Sequence, residues 1–199
     1  MGRREGMRRS AKGDGKDKVP SLRSPVASLR ASLIFLTPWG WMGISETKKG
    51  IDAIVLPKPF RSAVESALLS FGDQPITHRP SEQLQAARTQ VSEYLARTRQ
   101  SFDFPLDLSR GTSFQRLVWR MLQRVPYGKL RSYRWIAARV GGHQYARAVG
   151  NAVGANPVPI VVPCHRIVAH DGALGGFSGG LSVKRRLLTL EGTLSQLKS

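Results

Sequence analysis

Cys164 precedes His165 in the stretch VVPCHRIV, residues 161–168, and is the single cysteine among 199 residues. A thiolate is a strong nucleophile, and a neighbouring imidazole or cationic field makes one available. A lone cysteine also serves as a small buried hydrophobe, so its surroundings decide between the two. The apolar run from Val158 to Val162, interrupted by Pro159 and closed by Pro163, reads as a buried extended segment with the thiol at its end. In an extended chain adjacent side chains point to opposite faces, so His165 can serve Cys164 only through a bridging water or if the chain turns there. Upstream, Asn156-Pro157 is a turn signal whose amide side chain can brace the backbone. Downstream, SVKRRLLTLEG carries Glu191 four residues after Leu187 and eight after Val183, on the face that turns inward. An inward carboxylate needs a partner. His165 is the candidate, giving a Glu–His–water–Cys relay; the alternative is a frayed last turn with Glu191 in solvent. DGALGGFSGG, residues 171–180, has five glycines in ten positions. It is either a loop whose N–H groups approach a ligand closely or a flexible connector.

These groups need a frame. Residues 1–30 mix Gly, Ser, Pro and Lys/Arg without periodicity and read as a disordered basic tail. Short apolar runs follow, SLIFL, WGWMGI and GIDAIVL, separated by Thr37-Pro38, by residues 45–50 and then by Pro57, as in successive antiparallel strands. Residues 60–72 and 81–97 carry helical spacing, so an α+β N-terminal domain over 31–105 is expected, ending near Pro105. In GTSFQRLVWRMLQRVPYG, Thr112 and Gln115 have capping-box spacing. Phe114, Leu117, Val118, Met121, Leu122 and Val125 form one stripe, and Pro126-Tyr127-Gly128 stops the helix. Ser132 can cap a second helix with Ile136, Ala137 and Val140 inward, ended by Gly141-Gly142; a third runs from about Tyr145 to Val153. This is a helix-turn-helix pattern, which also occurs away from nucleic acid. In ARAVGNAVG, residues 146–154, Arg147 is the one long side chain among small ones. Such a surface could lie low against a groove with one cationic probe, or simply permit close helix packing.

The formal charge is +18. Residues 1–30 hold nine Lys/Arg against three acids, so +12 belongs to the body of the chain. Residues 129–191, around Cys164, hold nine Lys/Arg against Asp171 and Glu191 alone. That field favours a polyanion such as DNA or RNA, although a solvated basic surface would look the same. One cysteine allows no internal disulfide, and no Cys/His set has metal-ligand spacing, so a reducing, cytoplasmic setting without metal or cofactor is expected. The longest apolar run, Leu33–Leu36, is far short of the roughly 20 residues of a membrane span.

GTSFQRLVW, PYG, SY, ARAVG, NPVPI, VPCHR, G-x-L-G-x-F-S-G-G-L, K-x-x-LL and EG, in this order between Gly111 and Gly192, resemble the O6-alkylguanine-DNA alkyltransferases, the methylated-DNA–protein-cysteine methyltransferases. TPWGWMGI and TKKGI resemble that family's N-terminal sheet more weakly. The resemblance implies an α+β fold: a small ribonuclease H-like antiparallel sheet domain, then a mostly helical DNA-binding and alkyl-transfer domain over 106–199. It implies a monomer that acts on double-stranded DNA containing O6-alkylguanine. Cys164 would take the alkyl group from the flipped base, His165 the thiol proton through water, and Glu191 would hold His165. Tyr133 would serve the guanine ring nitrogen, the Ser178 N–H would sit near O6, the carbonyls of Cys164 and Ile167 would read the exocyclic amine, and Asn156 would brace the turn. Arg147 would fill the vacated space from the minor groove, with Ala146, Ala148, Gly150 and Asn151 around it. Phe177 stands where the family usually has Tyr, and Val153 at a pocket-wall position that can carry a larger side chain. With no group able to cleave the resulting thioether, each molecule would act once. The rivals are a damaged-DNA-binding module without chemistry and a Cys-His hydrolase.

Overall fold

A computed structural model describes residues 30–72, 76 and 79–197. Apart from Arg30, the segment expected to form a disordered tail lies outside the described residues. Strands β1 (Ala31–Thr37), β2 (Gly40–Thr47) and β3 (Gly50–Lys58) form an antiparallel meander in that order. Both turns are made by a threonine: Thr37 Oγ1 accepts from the Trp39 N–H at 3.1 Å and Thr47 Oγ1 from the Lys49 N–H at 3.1 Å. The second turn is therefore tighter than the sequence suggests, because Ser45, Glu46 and Thr47 stay in β2. Nor does Pro57 end β3, which continues to Lys58; an edge strand tolerates a residue that cannot donate.

Helices cover both faces of this sheet, which is why its strands read as apolar runs rather than clean alternations. Helix α1 (Arg61–Leu69) packs Val64 and Leu68 against Ile34 and Val55. Gly43 lets it in, since a Cβ there would stand 2.7 Å from Val64. Helix α2 (Glu82–Leu95), capped by Ser81, buries Leu84, Ala87, Val91, Tyr94 and Leu95 in the second, larger cluster. That cluster runs on from Met42 and Ile44 of the sheet to Cys164 and Leu187, so the cysteine belongs to the main core.

The remaining elements are α3 (Ser113–Gln123), β4 (Arg131–Ser132), α4 (Tyr133–Val140), α5 (Ala146–Gly154), β5 (Ile167–Val168) and α6 (Leu181–Leu190). Thr112 and Gln115 make both bonds of the capping box. Helix α3 stops at Gln123, before Pro126 is reached, because the residue preceding a proline already disfavours the helical region. The stripe read from the sequence omitted Trp119, which is buried and donates from Nε1 to the Ala152 carbonyl at 2.8 Å. That bond ties α3 to α5. Ser132 caps α4 by accepting from the Trp135 N–H, and Gly141 and Gly142, both at positive φ, turn the chain into α5. β4 and β5 pair in parallel, Arg131 opposite Ile167, and so fix the start of α4 beside the segment that follows Cys164.

Candidate active site

Between α5 and β5 the chain coils rather than extends. Asn156 holds the coil: its Oδ1 accepts from the Val158 N–H at 3.0 Å, while Nδ2 donates to the Val162 carbonyl at 2.7 Å and to Cys164 Sγ at 3.1 Å. Pro163, at φ −81 and ψ 64, forms an inverse γ-turn closed by the Cys164 N–H on Val162 O at 2.8 Å. Cys164–Arg166 is then a single 3-10 turn. The expected extended delivery of the thiol is thus replaced by a turn at Cys164, the one backbone arrangement that frees His165 from the opposite face. Ile160, buried and β-branched, has φ 78. A left-handed β-branched residue persists only where its surroundings over-determine it.

His165 is fully buried, and its Nε2 lies 2.8 Å from Glu191 Oε1. Glu191 caps the end of α6 and faces inward, as its position in the sequence suggested. Arg166 donates to it from Nε at 3.0 Å and Nη2 at 2.9 Å, Tyr94 from its hydroxyl at 2.6 Å, and the Gly128 N–H at 3.2 Å. Burial alone would raise the Glu191 pKa, but the bond with His165 and the pairing with Arg166 outweigh it and bring it down to about 2. A carboxylate accepts only, so His165 Nε2 carries the proton and Nδ1 the lone pair. Nδ1 is buried and has no hydrogen-bond partner among the described residues. Burial holds the His165 pKa below its ordinary value, keeping the imidazole neutral.

Cys164 is 2% exposed, and burial pushes its pKa up to about 11 against the Asn156 hydrogen bond and the charge of Lys184. Lys184, also buried, donates from Nζ to the carbonyls of Ile167 at 2.6 Å, Leu174 at 2.6 Å and Gly176 at 3.3 Å. Its pKa falls to about 8, mainly through burial. The glycine-rich segment is therefore strapped to the cysteine turn over 174–176 and is no loose connector there. Tyr133, at the start of α4, donates to the Gly176 carbonyl at 3.3 Å, and burial, then the nearby Cys164, keeps its hydroxyl protonated above the ordinary range. The Ile167 carbonyl keeps a second lone pair beside Lys184. A cleft of about 320 Å³ lies next to this cluster and meets it at Asn156; Pro159, Ser178, Gly179, Leu56 and Phe71 also line it, whereas Cys164 and His165 do not.

The structure thus gathers Cys164, His165, Glu191, Asn156, Ile167 and Tyr133 around one turn. Phe177 is half-buried and Ser178 exposed on the rim. On α5, Arg147 and Asn151 are exposed, Ala146, Ala148 and Gly150 half-buried, and Val153 is in the core. A Cβ at Gly150 or Gly154 would meet nothing within 4 Å, so packing within the chain does not require either glycine. Sequence reasoning missed the role of Arg166 as the partner of Glu191, which it read only as part of the cationic field around the thiol, and it missed Lys184 and the Tyr94 hydroxyl. The signal for the first was a charge inside an apolar run; for the second, a cation between Val183 and Leu187 on the inward side of α6.

Residues 113–193 match the family described as 6-O-methylguanine DNA methyltransferase, DNA binding domain. The chain is 53% identical over 102 residues to a methylated-DNA–protein-cysteine methyltransferase of Mycolicibacterium paratuberculosis, a match spanning 51% of this chain and 61% of that relative. It thus aligns with about three fifths of the length of that relative. With the inducible methylated-DNA–protein-cysteine methyltransferase of Bacillus subtilis it shares 36% identity over 161 residues, 80% of this chain and 88% of the relative. Among solved structures, Mycobacterium tuberculosis OGT in complex with DNA superposes with a TM-score of 0.67 at 34% identity, covering 82% of this chain and 94% of that one.

Proposed function

This chain belongs to the methylated-DNA–protein-cysteine methyltransferase family, and from that premise we propose that it repairs double-stranded DNA by moving the alkyl group of O6-alkylguanine onto Cys164, once per molecule. The observation that carries the reading is the buried row Glu191–His165 with a bare Nδ1, set beside an Asn156-bound thiol, in a chain whose helix α5 carries the exposed Arg147.

With a pKa of about 11, only about one thiol in 10⁴ is ionised at neutral pH. A base must therefore take the proton. His165 Nδ1 accepts it through a water, and Glu191, held ionised by Arg166, stabilises the imidazolium. The thiolate forms its bond to the alkyl carbon as the carbon–O6 bond breaks, and the electron pair passes to the purine. Tyr133 donates a hydrogen bond or its proton to the ring nitrogen as charge builds. Lys184 and Asn156 are positioning residues that also favour the negative sulfur. Ser178 N–H and the carbonyls of Cys164 and Ile167 recognise the base edge, with Phe177 and Val153 shaping the pocket. Extruding the base costs a few kcal/mol of unstacking, and Arg147, with Ala146, Ala148, Gly150 and Asn151 letting α5 lie close, fills the space left behind. The setting is a monomer in the cytoplasm at the nucleoid.

Intact-protein mass after incubation with a duplex carrying O6-methylguanine tests this. The wild type gains one methyl group and Cys164→Ala gains nothing; an unchanged wild-type mass would leave a damaged-DNA-binding module without chemistry.

A further inference from the structure

Between residues 113 and 155, the stretch that carries α3, α4 and α5, there are eight Lys/Arg and no Asp or Glu. Arg147 is one of the eight. Three neighbouring side chains that the transfer reaction does not use form a stack on and before α4. The Arg139 guanidinium lies 3.6 Å from the centre of the Trp135 ring and that of Arg131 lies 5.3 Å from it. Their hydrogen bonds are local: Arg139 Nη1 to the Trp135 carbonyl at 3.2 Å and Arg131 Nη1 to the Leu130 carbonyl at 2.8 Å. Neither meets a carboxylate among the described residues. An exposed cation–π contact contributes only about 0.5–1 kcal/mol. Placing two like charges on one indole offsets part of that, so the stack is a poor device for stability and leaves most guanidinium donors unused.

Its place in the fold says what it faces. The buried side of α4 is Ile136 and Ala137, and Tyr133 begins the helix at the cysteine site. Arg134 Nε reaches His143 Nδ1 at 3.4 Å, in the turn that leads into α5. That flank belongs to the Arg147 helix. Arg131 lies in β4, paired with β5 just after the cysteine turn, and Trp135 and Arg139 stand about 120° around α4 from Arg134, so the stack is on a different flank from the one that meets the turn into α5.

We propose that this stack is a second backbone clamp: it grips phosphates of the same duplex, on the side of the damaged base away from Arg147. The inference rests on the DNA-repair reading above. The first helix of a helix-turn-helix crosses the phosphate backbone. Guanidinium forks match phosphate oxygens, and an indole that already holds two of them lowers the cost of ordering them on binding. The clamp carries no base information. It lengthens the footprint and steepens the salt dependence.

The test is binding of an undamaged duplex oligonucleotide across a range of salt concentrations. Each phosphate contact contributes about 0.9 to the slope of log K against log salt. The double variant Arg131→Gln/Arg139→Gln should lose about 1.8 of that slope and bind at least about tenfold more weakly at low salt. Arg139→Lys should keep the slope. Trp135→Ala should also keep it while weakening binding, because the charges remain but are no longer held. Thermal unfolding midpoints close to the wild type show that the variants are folded. A folded double variant with wild-type slope and affinity overturns the clamp alone. A wild type that binds no duplex at any salt overturns the DNA reading and the clamp together.

Discussion

Glu191 does two jobs through one carboxylate, orienting His165 and neutralising Arg166, and Glu191→Gln interrupts both. Without the negative charge the imidazolium formed during transfer loses its stabiliser, so the rate should fall on the order of 10²-fold. The pH profile separates this from simple damage. In the wild type the rate should rise as pH climbs through the His165 pKa, which burial places below its ordinary 6.5, because only the neutral imidazole accepts a proton. In the variant the thiol must ionise with less help, so the rise should move toward the unassisted thiol pKa of about 11. Transfer from free O6-benzylguanine, followed against pH, reads both; a variant with the wild-type profile would remove Glu191 from the relay. At this scale the sequence was informative where a residue was out of character. Cys164 was alone, His165 adjacent, and Glu191 stood on an apolar face. It was silent on Tyr94, whose hydroxyl meets Glu191 across 97 positions, since a tyrosine in an apolar stripe looks like any other core side chain.

Helix α5 tests the same logic one level up. Its buried residues Val149, Ala152 and Val153 bind it to the core, while its outer side offers Arg147 and Asn151 over a low surface of alanines and glycine. If Arg147 occupies the space of an extruded base, its guanidinium matters only when there is a stack to disrupt. Arg147→Ala should then slow repair of O6-methylguanine in duplex DNA by tenfold or more, since about 1.4 kcal/mol of the few that unstacking costs is already a factor of ten. Transfer from the free base should change little. Equal losses in both assays would contradict the base-displacement role. Helices and strands were legible because their signals are local: threonine and serine caps, apolar spacing, glycines at reversals. Their ends were less so. β3 passes through Pro57 because it lies at the sheet edge, and the cysteine segment turns because Asn156, three prolines and Ile160 act together. Neither condition is visible in a window of a few residues.

At the scale of the molecule, the site is a junction. Tyr94 comes from α2, Arg166 from the cysteine turn and Glu191 from the end of α6, and the same hydrophobic cluster surrounds them all. The sequence pointed to two domains in series but not to this meeting, because long-range pairing depends on how the sheet and helices stack. The arrangement couples the chemistry of the site to the stability of the whole. The folded pKa of Glu191, about 2, lies below its ordinary 4.5, so the folded state binds fewer protons than the unfolded state between those values. Stability from this group is therefore full above pH 4.5 and lost as pH falls toward 2, about 3 kcal/mol in all. His165 acts in the same direction, beginning near 6.5, because its folded pKa is also lowered. Urea unfolding at a series of pH values should show stability declining from pH 6.5 and more steeply below 4.5. In Glu191→Gln the steeper part should shrink to what Asp107, whose folded pKa is also lowered, leaves below 3.8, and the variant should be less stable at neutral pH by roughly 3 kcal/mol, because Arg166 is left buried without its counter-charge. A variant with the wild-type acid slope would show that the carboxylate does not link the two halves of the protein.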